Sequence, residues 1–225
     1  MIGMSRGMTR GFSAPGPLSL ALFDLSAREQ RRWLAQRLER PAPESAKNLS
    51  DGFRLPGREG EPKPAAVLVP IVNREEGLTV LLTERSHDLP DHPGQISFPG
   101  GRIEPDDPDE KIAALREAEE EVGLSRDRVT LLGRLAAYET VTGYRVIPVV
   151  GWVDPPFQLK PDPIEVADVF EVPLSFLLDP ANQKRHFRMI GELRRDYFAI
   201  PYGERYIWGA TAAMLMILDR TLRAD

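Results

Sequence analysis

The sequence predicts an α+β fold: one mixed β-sheet packed between helices in an α/β/α arrangement, with a helical extension at the N-terminal end. Three observations carry this. Apolar runs rich in β-branched residues, AAVLVPIV at 65–72 and LTVLLTER at 78–85, stand either side of a short polar turn. A segment at 107–123 has apolar residues at helical spacing and boundary signals at both ends. Another amphipathic segment closes the chain at about 207–222. Strands arrive in runs and helices stand apart from them, which is α+β packing and not regular βαβ alternation.

Taken in order, residues 1–18 are rich in Gly, Ser and Pro and read as a flexible tail. Their arginines, with no acids, resemble a transit peptide only slightly, so a plain tail and a cytoplasmic protein are expected. In DLSAREQRRWLAQRLE, residues Leu25, Trp33, Leu34 and Leu38 lie near helical spacing, and Ser26 or Asp24 can cap the helix. Residues 41–64 concentrate proline and charge and read as a linker. The boundary is therefore drawn with tail, helix and linker over 1–63 and the main domain over 64–225.

The runs at 65–72 and 78–85 are two neighbouring strands, with NREEG as the hairpin turn. Two more strands follow at 129–138 and 145–153, with ETVTGY between them. DVFEVPLSFLLD (168–179) passes from strand into a short helix. HFRMI and RDYFAI suggest a hairpin over 186–200, and the last segment is a helix.

Composition narrows the function. Twenty-nine basic against thirty-four acidic residues give a net charge of −5, which argues against binding nucleic acid through bulk positive charge. No apolar run approaches the roughly 18 residues that span a membrane. Cysteine is absent and histidine occurs three times, so thiolate chemistry is excluded and any metal should be held by oxygens.

The segment 107–123 holds REAEEEVGL at its end. Asp107 is placed at the N-cap, Pro108 at the first helical position, and Gly123 at the left-handed stop. Leu115, Ala118 and Val122 share one face, with Ile112 at its edge, while Glu117, Glu120 and Glu121 fall within about 100° of arc opposite. Carboxylates crowded at the negative pole of the helix dipole repel that pole and one another. A bound cation would offset both. Mg²⁺ takes hard oxygen ligands and retains water and phosphate oxygens, which suits pyrophosphate chemistry. Ahead of the helix, Gly100 and Gly101 in GQISFPGG permit close backbone approach.

These residues resemble the Nudix hydrolase signature, matched by Gly101 and then Arg116, Glu117, Ala118, Glu120, Glu121, Gly123 and Leu124. The resemblance implies the Nudix fold, with Glu117, Glu120 and Glu121 as ligands of Mg²⁺ or Mn²⁺. Fourteen residues separate Gly101 from Arg116, one more than the usual signature, so the upstream glutamate position falls on Pro108. Either Asp107 or Asp109 must take over its supporting role; Asp109, seven residues before Arg116 and so nearly on its face, is a candidate salt-bridge partner. The longer spacer and the block LLTERSHDLPDHPGQISFPGG (81–101) are similar to the coenzyme A pyrophosphatase branch of the family. So are EVADVFEVPLSFLLD (165–179) and YIWGATAAML (206–215).

That branch implies hydrolysis of the diphosphate bond of coenzyme A or a derivative, a small-molecule partner and a homodimer, with Arg116 orienting the carboxylates. The general base is Glu121 or Glu165. Arg85 and Ser86 are candidates for phosphate contact, Arg85 alternatively for an ion pair to the acidic helix. Gln95, Gly100 and Gly101 are candidates for substrate binding, and Gln95 and His92 for shaping the loop or touching pantetheine. Phe98 and Tyr144 suit packing better than adenine stacking. A Nudix enzyme acting on ADP-ribose or a dinucleotide, and a Nudix-fold binding module without turnover, stay open as alternatives.

Overall fold

The computed structural model describes residues 21–224 except 48, 53, 56, 58, 59, 191 and 192. The tail expected over 1–18 lies outside the described residues. The elements are α1 (Ala21–Asp24), α2 (Ala27–Leu38), α3 (Glu44–Lys47), β1 (Lys63–Arg74), β2 (Gly77–Arg85), β3 (Ile96–Ser97) and β4 (Gly100–Arg102). There follow α4 (Glu110–Val122), β5 (Val129–Arg134), β6 (Tyr138–Glu139), β7 (Tyr144–Val153), β8 (Val166–Pro173) and α5 (Leu174–Leu177). The chain closes with β9 (Lys184–Ile190), β10 (Leu193–Tyr202), β11 (Arg205–Trp208) and α6 (Gly209–Arg223).

The main sheet runs β3-β2-β1-β7-β5, with β4 also on β1, β6 on β7 and β8 on β2. It is mixed because β1 and β7 are parallel, from Lys63 opposite Tyr144 to Val72 opposite Val153. The unbroken apolar run of β1 follows from burial on both faces. Ala66, Leu68 and Val72 pack with Ala113, Ala114, Ala118 and Val122 of α4. Ala65, Val69 and Ile71 face the other way, into a core with α2 and α6. This is the expected helix–sheet–helix arrangement.

Several expectations are refined. The strand foreseen over 129–138 is two, β5 and β6, with a register shift between Leu131 and Gly133. The last helix starts at Gly209 because residues 205–208 form β11, which with β10 and β9 makes a separate antiparallel sheet. Ile112 is 36% exposed and lies off the apolar stripe. The helix cap is Asp109, not Asp107: its Oδ1 accepts from the backbone N–H groups of Lys111 and Ile112, each at 2.9 Å.

Packing also crosses the boundary drawn at residue 63. Leu34 and Leu38 of α2 and Ala46 of α3 are buried in the core that α6 closes. Ser26 does begin α2, its backbone N–H donating to Oε2 of Glu29 at 3.0 Å. Asp51, in the proline-rich stretch, accepts from Arg195 Nη2 (2.6 Å), the Tyr138 hydroxyl (2.9 Å) and the Val141 N–H (2.8 Å).

Candidate active site

The acidic face of α4 is held in place from both ends. Gly123 ends the helix in the left-handed conformation (φ 68°), with its N–H on the Glu119 carbonyl and that of Leu124 on Ala118. A side chain at 123 would come within 2.8 Å of the Lys160 nitrogen, so the loop at 160–165 lies directly on the helix end. Small residues at 113, 114 and 118 let the helix approach β1 and β4 closely.

Two glycines bring the sheet to the carboxylates. The Gly100 N–H donates to Oε2 of Glu121 at 3.0 Å. A Cβ on Gly100 would lie 2.5 Å from the Ala66 carbonyl oxygen, so only glycine allows β4 to seat on β1 here. A Cβ on Gly101 would stand 2.6 Å from the Glu117 carboxylate. Glu117 and Glu121 are thus pressed against the ends of the PGG turn.

Burial pushes the Glu121 carboxyl up to about 8; the charges of Glu117 and Glu165 add to this, while the Gly100 N–H and Arg85 oppose it. Glu121 is 6% exposed. Burial also raises Glu117, against the pull of Arg116. A buried carboxyl beside a half-buried one, the former met by no cation within ion-pair distance among the described residues, disfavours the charged state.

Arg116 organises the outer part. Its Nε and Nη2 grip Asp107 Oδ1 and Oδ2 at 3.0 and 2.9 Å, and Nη2 also donates to the Arg102 carbonyl at 3.1 Å. Its Nη1 sits 3.0 Å from Glu117 Oε1 and 2.9 Å from Glu120 Oε2. The Asp107 hydrogen bonds are the main reason the Arg116 pKa is raised. The salt-bridge partner is therefore Asp107 and not Asp109, which is committed to the cap.

The structure gathers some predicted residues and separates others. Glu165 is exposed at the start of β8, yet its carbonyl accepts from the Ser86 N–H at 2.8 Å and its charge is felt by Glu117 and Glu121. Ser86 is buried, and its hydroxyl faces the Asp88 N–H at 3.4 Å. Arg85 makes no ion pair to α4 among the described residues; its Nε is buried without a hydrogen-bond partner. Gln95 closes the loop through its carbonyl to the Arg85 N–H at 3.0 Å. His92 lies in that loop in a left-handed conformation (φ 59°). Phe98 is core, and Tyr144 receives Arg102 Nη2 on its hydroxyl at 2.9 Å.

All donors available here are carboxylate oxygens, which fit a hard divalent cation better than a soft one. Among the described residues no three carboxylates stand ready at ligand spacing. Glu117 and Glu120 instead both stand at Nη1 of Arg116. Among the described residues no helix is long and apolar enough to cross a membrane.

The Asp107 clamp was one of two options the sequence left open, while the Glu121–Gly100 bond and the Asp51–Arg195 pair escaped it. Only the clamp had a signal, an aspartate near the displaced signature position.

Residues 62–192 match the NUDIX domain. The chain is 40% identical over 182 residues to a Photorhabdus laumondii protein named "Uncharacterized Nudix hydrolase NudL", covering 80% of this chain and 90% of that one. A protein of the same name from Yersinia pestis is 38% identical over 179 residues, covering 79% and 86%. Among solved structures, an Ap4A hydrolase of C. elegans aligns with a TM-score of 0.44 and 21% identity over 49% of this chain and 80% of that one.

Proposed function

We propose that this chain, which belongs to the Nudix family, hydrolyses the diphosphate bond of coenzyme A or a derivative. The products are 3′,5′-ADP and 4′-phosphopantetheine, or its acylated form. One observation carries the substrate reading: the block at 81–101, similar to the coenzyme A branch, runs from β2 through its loop to the glycines that touch Glu117 and Glu121.

In this reading Glu117, Glu120 and Glu121 hold Mg²⁺ or Mn²⁺, which when bound neutralises diphosphate charge and acidifies a water. Water oxygen bonds to one phosphorus while the bond from that same phosphorus to the bridging oxygen breaks, and the bridging oxygen leaves with the other phosphate. Glu121 Oε2 is engaged by Gly100, so Oε1 is the atom free to take the water's proton. Glu165 is the second base in electrostatic reach. Arg116 orients Glu117 and Glu120, and its grip on Asp107 keeps the guanidinium in place. Arg85, with an unmatched buried Nε, supplies donors suited to a phosphate oxygen.

The test is incubation of the purified chain with Mg²⁺ and equimolar coenzyme A, ADP-ribose and a nucleoside triphosphate, resolved by chromatography, with Glu120→Gln alongside. Release of 3′,5′-ADP by the wild type, and not by the variant, is expected. Consumption of ADP-ribose in place of coenzyme A overturns the substrate; no turnover of any of the three overturns the assignment as an enzyme of this class.

A further inference from the structure

Arg85, which supplies donors for phosphate in the reading above, leaves β2 at an irregular step. The pairing of β2 with β8 is regular as far as Glu84 opposite Asp168, but Arg85 then faces Val166, so the register skips Ala167. A bulge of this kind disrupts the ladder and re-aims a side chain. The Arg85 peptide is held instead by the loop that follows it. Its N–H donates to the Gln95 carbonyl at 3.0 Å, and its carbonyl accepts from the Gly94 N–H at 3.2 Å. Next to it, the Ser86 N–H donates to the Glu165 carbonyl at 2.8 Å. Arg85 is also the cation whose charge reaches the Glu121 carboxyl. Its aim at the site therefore depends on how firmly residues 84–95 are fastened.

Three side chains that the mechanism above does not use do this fastening. Glu84 Oε2 accepts from Nη1 of Arg205, and the other arm of the same guanidinium, Nη2, donates to Asp168 Oδ2. Arg205 comes from β11 in the smaller sheet, and its guanidinium lies 4.4 Å from the centre of the Phe170 ring. It thus clamps β2 to β8 at the residue pair just before the bulge. The second oxygen of Glu84, Oε1, stands 3.2 Å from Nε2 of His87. That imidazole also lies against Gly94. A Cβ on Gly94 would be 2.7 Å from His87 Cε1 and 2.9 Å from Nδ1, and the glycine is in the left-handed region (φ 67°). His87 therefore bridges the clamped carboxylate and the glycine whose N–H returns the loop to Arg85.

The His87 side chain is 71% exposed, so it buries little surface and adds little to global stability. Its contacts close the loop sideways. We propose that His87, set on Glu84 by the Arg205 clamp, is a positioning residue that holds the 86–95 loop shut and so keeps Arg85 aimed at the substrate phosphate. This rests on the reading of Arg85 as a phosphate donor in the hydrolysis proposed above. It adds a residue that touches neither substrate nor metal ligand and acts through the loop.

The test compares the full wild-type chain with His87→Ala, His87→Gln, Gly94→Ala and the double variant His87→Ala/Gly94→Ala. Without substrate, amide hydrogen exchange at the Arg85 and Gly94 N–H groups should quicken about tenfold in His87→Ala, with α4 and Tm unchanged. With Mg²⁺ and coenzyme A, KM should rise about tenfold in His87→Ala and kcat should hold, the pattern for lost uniform binding. His87→Gln should restore KM, because its amide carries a donor about as far out as Nε2. Gly94→Ala should raise KM in wild type, and less so once the ring it strikes is gone. Unchanged exchange or unchanged KM in His87→Ala overturns the proposal, as does strict additivity of the double variant. A fall in kcat at constant KM overturns the route through phosphate binding. Faster exchange in a chain that consumes ADP-ribose and not coenzyme A keeps the loop fastening and sinks the coenzyme A reading; KM is then compared on ADP-ribose.

Discussion

Arg116 grips Asp107 through two parallel N–H···O bonds of 3.0 and 2.9 Å, while Asp109, two residues further on, has its carboxylate on the first turn of α4. Two aspartates that the sequence leaves interchangeable thus do different things. One aims the arginine that sits among the acidic residues; the other satisfies orphan N–H groups.

Their variants should separate cleanly. Asp107→Asn should weaken Mg²⁺ dependence of activity by about 10- to 100-fold, the range for partners that orient a ligand set. Asp109→Ala should instead cost about 1 kcal/mol of stability, or about 2–4 °C in Tm for a chain of this size, with metal dependence unchanged. A metal titration and a melting curve on each variant check this. Similar behaviour of the two would contradict the assignment.

The two glycines of the PGG turn should also part company. A methyl at 100 meets β1 backbone at 2.5 Å, which cannot yield, so Gly100→Ala should lower Tm sharply or prevent folding. The nearest atoms to a methyl at 101 are those of the Glu117 carboxylate, the far end of a flexible side chain, at 2.6 Å. Gly101→Ala should fold and melt nearly as wild type, yet lose activity by about 100-fold, since a displacement of about 1 Å at the reacting centre has that effect. Circular dichroism melts beside rate measurements decide it.

Glu171 makes stability depend on pH. Burial pushes its pKa up, but the hydrogen bonds from Arg74 (2.5 and 3.0 Å) and Thr79 (2.5 Å) outweigh that and leave it lowered. A folded-state pKa below the unfolded one gives stability that is present above the unfolded pKa and lost as pH falls through the folded one. Glu171→Gln should therefore be less stable than wild type at pH 7, by about 1–3 kcal/mol for charge-assisted hydrogen bonds. The gap should close toward about pH 3, below the ordinary glutamate range. Urea midpoints of both proteins across that interval measure it; a gap independent of pH would count against the pairing.

Much of the fold was legible because its signals are local. The β1–β2 hairpin is visible in two apolar runs around Gly77, and α4 in its apolar spacing and the glycine after it. β11 was missed because YIW flows into an apolar helical stretch, and only pairing with β10 makes those residues a strand. α3 and Asp51 were hidden in a stretch whose prolines and charges read as a linker.

By itself the sequence determined the chemistry available: oxygen donors only, three glutamates on one helical arc, an arginine among them, and glycines where the sheet must come close. Helical spacing and residue type are properties of neighbours along the chain, so they can be read from it. Tertiary structure alone decided which aspartate meets Arg116, that Gly100 hydrogen-bonds Glu121, and that burial drives that carboxyl up to about 8. It also brought Glu84, Asp168 and Arg205 together from three strands. Those outcomes depend on desolvation and on contacts between residues far apart in sequence, and both exist only once the chain has packed.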